Sequence, residues 1–273
     1  MCRSTDRRSI RRASPCVSFA TFVSFARCRQ GGHLFRSANG PCSHLSSIAA
    51  AFAVVPAARA QTGTDPVYAV TYLEVATTAV ARGVELVKKF RDASRREAAN
   101  LEFTVLQETS RPNRFVIMEG WKDQAAFEAH DKGTAKSEFE SALRPIRNSP
   151  PGRHMLQPFA NAAARAAPAG GGLYMVEHVD FLGGNPAIAA AAAPLVKALA
   201  EASQKEAGAL RYDIYRQPPP RINHYEVVSV WTDAKAFDAH ETATHTLQFR
   251  AATAQGGPAW RANLYDQRLY RAL

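Results

Sequence analysis

Three histidines occupy positions from which they could carry out acid–base chemistry. His240 and His245 are five residues apart, and His130 lies in a closely similar stretch of sequence 110 residues before His240. Histidine has an ordinary pKa near neutral pH, so it can accept a proton from a weakly acidic substrate. His240 and His245 would lie about one helical turn apart and could act as a pair. We therefore take His240, His245 and His130 as the candidate catalytic residues.

The sequence around His130 is one copy of a duplicated domain. The motif that ends at His130 reads WKDQAAFEAH, and the motif that ends at His240 reads WTDAKAFDAH. Further matched pairs flank the two motifs: Ser94 and Ser203, Glu97 and Glu206, Leu101 and Leu210, Thr134 and Thr244, Phe139 and Phe249. A spacing of about 110 residues is too long for a short repeat, so a whole domain has been duplicated.

Several polar and aromatic residues in the two copies are candidates for substrate binding. They are Trp121, Trp231, Asn113, Asn223, Tyr68, Tyr174 and Glu119. Structural explanations stay open beside this one: tryptophans before a helix pack in cores, asparagine is favoured in turns, and a histidine at a helix end often bonds a carbonyl. The copies differ in their polar groups, because Ser229 replaces Glu119 in the second copy and Ala135 stands where that copy has His245.

The candidates do not form a recognisable cofactor motif. His240, Glu241 and His245 lack the His-Glu-x-x-His spacing of a helical zinc site, and residues 61–273 contain no cysteine. A glycine-rich phosphate loop and a serine nucleophile elbow are also missing from the sequence. We therefore expect neither a metal nor an organic cofactor.

Each copy has the periodicity of a β-α-β-β-α-β unit. In the first copy, strand patterns cover residues 67–75, 101–105, 115–121 and 154–159, and helical patterns cover 80–98 and 124–144, with a break near Gly133. In the second, strands are predicted at 172–181, 209–217, 221–231 and 260–271. Asp123 and Asp233 occupy the positions of helix N-caps. Because helices cover only one face of such a sheet, we expect the second copy to cover the other face and to enclose a pocket.

The first 60 residues have the composition of a leader segment. They contain nine of the 34 basic residues, one of the 24 acidic residues and all four cysteines, so the net charge of +10 falls to +2 for residues 61–273. A short apolar stretch at 45–56 precedes an Ala-x-Ala sequence that ends at Ala60, which is typical of a cleaved secretory signal. The near-neutral remainder gives no sign of nucleic-acid binding. The alternative is a basic tail on a cytoplasmic protein.

These observations predict a domain order. A leader or signal segment covers 1–60, a first domain covers 61–160, an Ala-, Pro- and Gly-rich linker covers 161–172, and a second domain covers 173–273.

The matched residues resemble a known family. The RPNRF sequence at 111–115, followed by Glu119, Trp121 and the run to His130, is similar to the antibiotic biosynthesis monooxygenase family, of the dimeric α+β barrel superfamily. The second copy adds Thr244 and His245, and together the copies cover nearly all of residues 66–271. Family members usually dimerise through their sheets. The resemblance therefore implies an α+β fold in which two ferredoxin-like β-α-β-β-α-β units form an intramolecular dimeric α+β barrel.

The resemblance also implies an activity. It indicates a cofactor-independent monooxygenase that acts with O2 on a quinol-like or polyphenolic aromatic molecule, since such a substrate, once deprotonated, can pass an electron to O2. The implied partners are this small aromatic substrate and O2, without nucleic acid or stable membrane insertion. The chain would be a pseudo-dimer, and further self-association stays open.

Two other functions stay open. The same barrel could be an exported, non-catalytic binding protein for a small apolar ligand. Haem binding or degradation is less favoured, because the axial histidine of haem-degrading relatives would fall near Glu140 and Arg250, and neither is histidine.

We predict export with cleavage after Ala60, to the periplasm or outside the cell. N-terminal sequencing of the native protein should begin at Gln61 or within a few residues of it. A cytoplasmic native protein that retains Cys42 would contradict this prediction.

Overall fold

The computed structural model describes residues 65–163, 171–181, 186–255 and 267–273. The predicted leader at 1–60 and most of the predicted linker at 161–172 lie outside these ranges. No helix within the described ranges is both long enough and apolar enough to cross a membrane.

The first repeat follows the predicted order of strands and helices. Its elements are β1 (Val67–Glu74), α1 (Val80–Ser94), β2 (Asn100–Glu108), β3 (Arg114–Trp121), α2 (Gln124–Asp131), α3 (Thr134–Leu143) and β4 (Gly152–Ala160). The predicted cap of α2 is confirmed: the Asp123 carboxylate accepts a hydrogen bond from the Ala126 amide at 2.8 Å. The predicted break also appears, because α3 begins immediately after Gly133.

The second repeat has the same order. Its elements are β5 (Leu173–Asp180), α4 (Pro186–Ser203), β6 (Ala209–Arg216), β7 (His224–Trp231), α5 (Ala234–Glu241), α6 (Thr244–Gln255) and β8 (Arg268–Ala272). Asp233 caps α5 as predicted, accepting a hydrogen bond from the Ala236 amide at 2.8 Å. Of the predicted last strand at 260–271, residues 260–266 lie outside the described ranges, and β8 covers Arg268–Ala272.

The eight strands close into one antiparallel barrel in the order β1-β3-β2-β8-β5-β7-β6-β4. Two pairings join the repeats: β4 pairs with β6, and β8 pairs with β2. The last strand of each repeat therefore pairs with a strand of the other repeat. Closure leaves no unpaired sheet edge, and it confirms the predicted barrel built within one chain.

Apolar side chains form three separate cores. One lies between the sheet and helices of repeat 1, one lies at the equivalent place in repeat 2, and the third fills the barrel interior. Inside the barrel, the rings of Tyr68 and Tyr215 pack with centroids 5.3 Å apart. The prediction of an open pocket between the two sheets is therefore wrong at the level of Tyr68 and Tyr215. Alternate residues on the strands point inward there, and their side chains are large.

A buried ionic cluster joins the repeats inside the barrel. The Arg211 guanidinium on β6 donates to both carboxylate oxygens of Glu102 on β2, at 2.5 and 3.1 Å. Its Nε also donates to Asp213 at 2.7 Å, and its Nη2 donates to the Tyr215 hydroxyl at 2.9 Å. Burial lowers the pKa of Arg211, but these acidic neighbours outweigh it and hold that pKa above its usual value. The arginine side chain is thus a charged cross-link between the repeats.

We predict that Arg211→Met destabilises the fold by about 3–5 kcal/mol, because Glu102 and Asp213 would remain buried without their cation. Denaturant unfolding monitored by tryptophan fluorescence measures this change. The control is Arg82→Met, which removes an exposed pair with Glu85 on α1 and should change stability by no more than about 0.5 kcal/mol. Equal effects of the two substitutions would contradict the cross-link.

Candidate functional site

A histidine stacks on a tryptophan in the helix-facing core of repeat 1. The ring centroids of His130, on α2, and Trp121, at the end of β3, lie 4.2 Å apart. The His130 Nδ1 lies 2.8 Å from the Glu97 carboxylate, which follows α1. The Asp123 cap fixes where α2 begins, and thereby places His130 over the tryptophan.

A second carboxylate, Glu119, completes this cluster from β3. It accepts a hydrogen bond from Trp121 Nε1 at 2.9 Å, and its Oε2 lies 3.6 Å from His130 Nε2. That histidine nitrogen is buried and makes no hydrogen bond to any described residue. With the Nδ1 proton donated to Glu97, the Nε2 lone pair would face the Glu119 carboxylate. Nε2 and the Glu119 carboxylate are therefore two hydrogen-bond acceptors that lie 3.6 Å apart.

Glu119 faces a cavity of about 380 Å³ between the sheet of repeat 1 and helices α2 and α3. This volume lies within the range of roughly 300–1,000 Å³ that is common for small-molecule sites. Phe90 and Phe139 form one wall, stacked with ring centroids 4.4 Å apart. Thr71 of β1 also lines the cavity, and its buried hydroxyl has no hydrogen-bond partner within the described ranges.

Two cations line the same cavity. Lys136 Nζ lies 3.4 Å from the Glu140 carboxylate and 5.6 Å from the centre of the Phe90 ring. Arg153 donates to Asp131 at 2.8 Å. Burial lowers the pKa of Arg153, but the hydrogen bond to Asp131 and the nearby acidic groups outweigh it and raise that pKa. Both cations are therefore already paired with carboxylates that line the cavity, and Glu119 adds a third carboxylate to the lining.

Repeat 2 keeps the histidine and changes its surroundings. The Oε1 atom of Glu206 lies 2.6 Å from His240 Nδ1 and 2.8 Å from His245 Nε2, so the two histidines form the expected pair around a shared carboxylate. Burial lowers the pKa of His240, and the opposing effect of Glu206 does not restore it. The indole of Trp231 bonds the Ser229 hydroxyl at 2.9 Å, where Trp121 bonds Glu119.

Among the described residues of repeat 2, the space that corresponds to part of this cavity is small. The equivalent cavity, lined by Glu177, Leu199, Val227 and Phe249, has a volume of about 10 Å³. Glu177 stands where repeat 1 has Thr71, and Leu199 stands where it has Phe90. In the part of the chain that the structure describes, the larger helix-side cavity thus belongs to repeat 1.

The remaining predicted binding residues lie away from this cavity. The side-chain amide of Asn113 donates to the Val75 carbonyl at 3.1 Å, and that of Asn223 donates to the Phe181 carbonyl at 2.6 Å. Both therefore hold a turn against the end of a neighbouring strand. Tyr68 and Tyr174 point into the packed barrel interior. Of the predicted residues, the structure brings together Glu119, Trp121 and His130 in one cluster, and Trp231, His240 and His245 in another.

Sequence reasoning missed several residues that shape the two clusters. Glu97 and Glu206 are a matched pair in the sequence. This duplication is the one signal that could have indicated that they contact the histidines. Thr71, Lys136 and Arg153 differ between the repeats and lie far apart in the sequence, so no local pattern marks them.

The comparisons with known proteins agree with this architecture. The model of the antibiotic biosynthesis monooxygenase family matches residues 66–142 and 179–252. No curated protein matches the chain.

Three solved structures share the fold. A candidate monooxygenase from Fusobacterium nucleatum is 15% identical with a TM-score of 0.64, and the match covers 78% of this chain and 94% of that one. A candidate monooxygenase from Lactobacillus acidophilus is 14% identical with a TM-score of 0.57, covering 77% and 93%. An anthrone oxidase-like protein is 12% identical with a TM-score of 0.59, covering 77% and 92%. The two matched segments, each containing one Trp–His cluster, show that this chain belongs to the antibiotic biosynthesis monooxygenase family.

Proposed function

We propose that this protein is a monooxygenase that uses O2 to oxidise a quinol-like or polyphenolic aromatic molecule in the cavity of repeat 1, without a bound metal or flavin at that site. The observation that carries the proposal is Glu119, a buried carboxylate beside His130 that faces a cavity of about 380 Å³ with an aromatic wall. Family membership supports a monooxygenase-like activity, and the substrate class is our inference from the lining of the cavity.

The cavity fits a planar phenol. A substrate ring would pack against the wall formed by Phe90 and Phe139, while its hydroxyl groups would reach the polar side of the cavity. The buried Thr71 hydroxyl would gain a hydrogen-bond partner from the substrate. A phenolate oxygen would replace Glu140 or Asp131 as the partner of Lys136 or Arg153, which would hold the ionised substrate in place.

Ionisation is the step that the protein must promote. Glu119 and His130 would accept the phenolic proton, and the electron-rich anion would pass one electron to O2 and then combine with the superoxide formed. For an anthrone-like substrate, a CH2 group becomes a carbonyl. One oxygen atom enters the product, the other leaves as water, and the substrate supplies all four electrons.

Repeat 1 is the better candidate for this reaction. The histidine pair taken alone favours repeat 2, because only that repeat has both His240 and His245. Cavity volume favours repeat 1. The described cavity of repeat 2, with about 10 Å³, cannot hold an aromatic ring, whereas the cavity of repeat 1, with about 380 Å³, can.

We predict that Glu119→Gln lowers turnover by about 10²- to 10⁴-fold, the usual cost of losing a general base. Glutamine can still accept the Trp121 hydrogen bond, so the fold should survive. Oxygen uptake with a panel of hydroquinones and anthrones, in the presence and absence of a chelator, measures the change.

The matched control is Ser229→Ala, which removes the equivalent indole partner in repeat 2 and should leave turnover within a factor of about two. No oxygen uptake with any substrate would count against an enzyme. If an apolar ligand then co-purified with the protein, detected by mass spectrometry, a binding protein would be the better interpretation.

The two histidines that lie beside a tryptophan, His130 and His240, should also differ in function. We predict that His130→Asn lowers turnover per folded molecule by at least about tenfold, because His130 shares the transferred proton with Glu119. His240→Asn should lower the melting temperature and leave the rate per folded molecule unchanged. Turnover and melting temperature measured on both variants decide this, and the reverse pattern would place the reaction in repeat 2.

A further inference from the structure

Three histidines and two carboxylates gather at one end of the barrel, away from the helix-side cavity. His154 comes from β4 of repeat 1, whereas His178, Asp180, His224 and Glu226 come from β5 and β7 of repeat 2. The Nδ1 atoms of His154 and His178 lie 2.6 and 2.8 Å from Glu226 Oε1. Two imidazole nitrogens from different repeats therefore point at the same carboxylate oxygen.

The groups behind His178 and Glu226 have the arrangement of an outer coordination sphere. The other nitrogen of His178, Nε2, lies 2.6 Å from the Asp180 carboxylate, which also contacts His224. The second oxygen of Glu226 accepts a hydrogen bond from the Tyr72 hydroxyl at 2.9 Å. Metal-bound histidines usually donate their free N–H to a carboxylate, and metal-bound carboxylates are themselves hydrogen-bonded.

The fold does not require a carboxylate where Glu226 stands. By alignment of the two repeats, Glu226 corresponds to Val116, which is buried in the barrel core. Strand register matches His154 to Arg268, so an imidazole is not required there either. A fully buried glutamate is costly where valine suffices. Contacts with His154, His178 and Tyr72 offset that cost, so the cluster as a whole is an addition that the barrel does not need.

We propose that His154, His178 and Glu226 bind one divalent first-row transition metal ion, such as Zn2+, across the boundary between the two repeats. Two imidazoles and one carboxylate are a donor set that suits Zn2+ and its neighbours better than Mg2+ or Ca2+. The three donor atoms lie within 4.8 Å of one another. Bond lengths of about 2.0–2.2 Å require the donors to be roughly 3.3 Å apart. The two nitrogen–oxygen distances of 2.6 and 2.8 Å would therefore lengthen by about half an ångström when the ion enters.

The ion would leave one coordination position for water or a ligand, because three protein ligands do not complete a tetrahedral zinc site. A cavity of about 240 Å³, lined in part by Tyr72, Arg268 and Tyr270, opens at this end of the barrel. His154 retains 29% exposure of its side chain, which provides a route for the ion. Because its ligands come from both repeats, the ion would also stabilise the association of the two repeats in the barrel.

A proton is the competing occupant of this site. Burial lowers the pKa of His178, but its hydrogen bonds to Asp180 and Glu226 outweigh it and raise that pKa to about 10. A doubly protonated His178 would thus satisfy both carboxylates without a metal. The two occupants are distinguished by measuring metal binding directly.

The test is a zinc titration of the full chain, without a histidine tag and after treatment with a chelator, followed by calorimetry and by melting temperature. Wild-type protein should bind one more Zn2+ than Glu226→Val, a substitution that installs the side chain found at the equivalent position, Val116, of repeat 1. Loss of an outer-sphere partner typically costs 10- to 100-fold in affinity, so loss of a ligand should weaken binding at this site by about 100-fold or more. Zinc should raise the melting temperature of wild type and leave that of the variant unchanged.

Two further variants complete the test. His154→Leu should lose the same ion, and it serves if Glu226→Val does not fold. His245→Ala alters the other cluster of potential ligands, Glu206, His240 and His245, and should keep the ion. Equal zinc stoichiometry in wild type, Glu226→Val and His154→Leu would overturn the proposal, as would loss of the ion in His245→Ala alone.

Discussion

Closure of the eight-stranded sheet is the constraint on which the other features of this structure depend. Each repeat alone is an antiparallel sheet covered by helices on one face, and its other face would lie open to water. The pairings of β4 with β6 and of β8 with β2 close the sheet and bury that face. Since these pairings need both copies, the duplication places within one chain a barrel that would otherwise need two subunits.

A closed barrel built from two copies allows each copy to change separately. Hydrogen bonding between strands does not depend on side-chain identity, so substitutions can alter a cavity without altering the architecture. Repeat 1 has Thr71, Phe90 and Glu119 around a cavity of about 380 Å³, whereas the cavity between Glu177 and Leu199, the counterparts of Thr71 and Phe90 among the described residues of repeat 2, has about 10 Å³. Similarly, repeat 2 contributes Glu226 to one end of the barrel, whereas repeat 1 has Val116 at the equivalent position.

The sequence predicts the architecture well because the relevant signals are local or repeated. Alternation of apolar residues marks the strands, Asp123 and Asp233 mark helix starts, and the 110-residue offset reveals the pairing of two units. The Trp121–His130 cluster is also foreseeable, since both members lie within one motif. Its repetition around Trp231 and His240 gives the same information twice.

The position of the candidate site, in contrast, cannot be predicted from local or repeated sequence patterns. The sequence predicts a pocket between the sheets, but the structure has a packed core there. The side chains of Tyr68, Tyr174 and Tyr215 are large enough to fill the interior of an eight-stranded barrel. The helix-side cavity depends on Thr71, Lys136 and Arg153, which meet only after the chain folds. The cluster of His154, His178 and Glu226 combines residues from different repeats, so comparison of one repeat with the other does not reveal it.

We propose that an aromatic substrate binds beside Glu119 in repeat 1, and a crystal structure of the protein soaked with a hydroquinone in the absence of oxygen would locate it. We expect a ring packed against Phe90 and Phe139, with one hydroxyl oxygen about 3 Å from the Glu119 carboxylate. A ring bound in repeat 2 beside His240, or at the barrel end beside Tyr72, with the repeat 1 cavity holding only water, would contradict it.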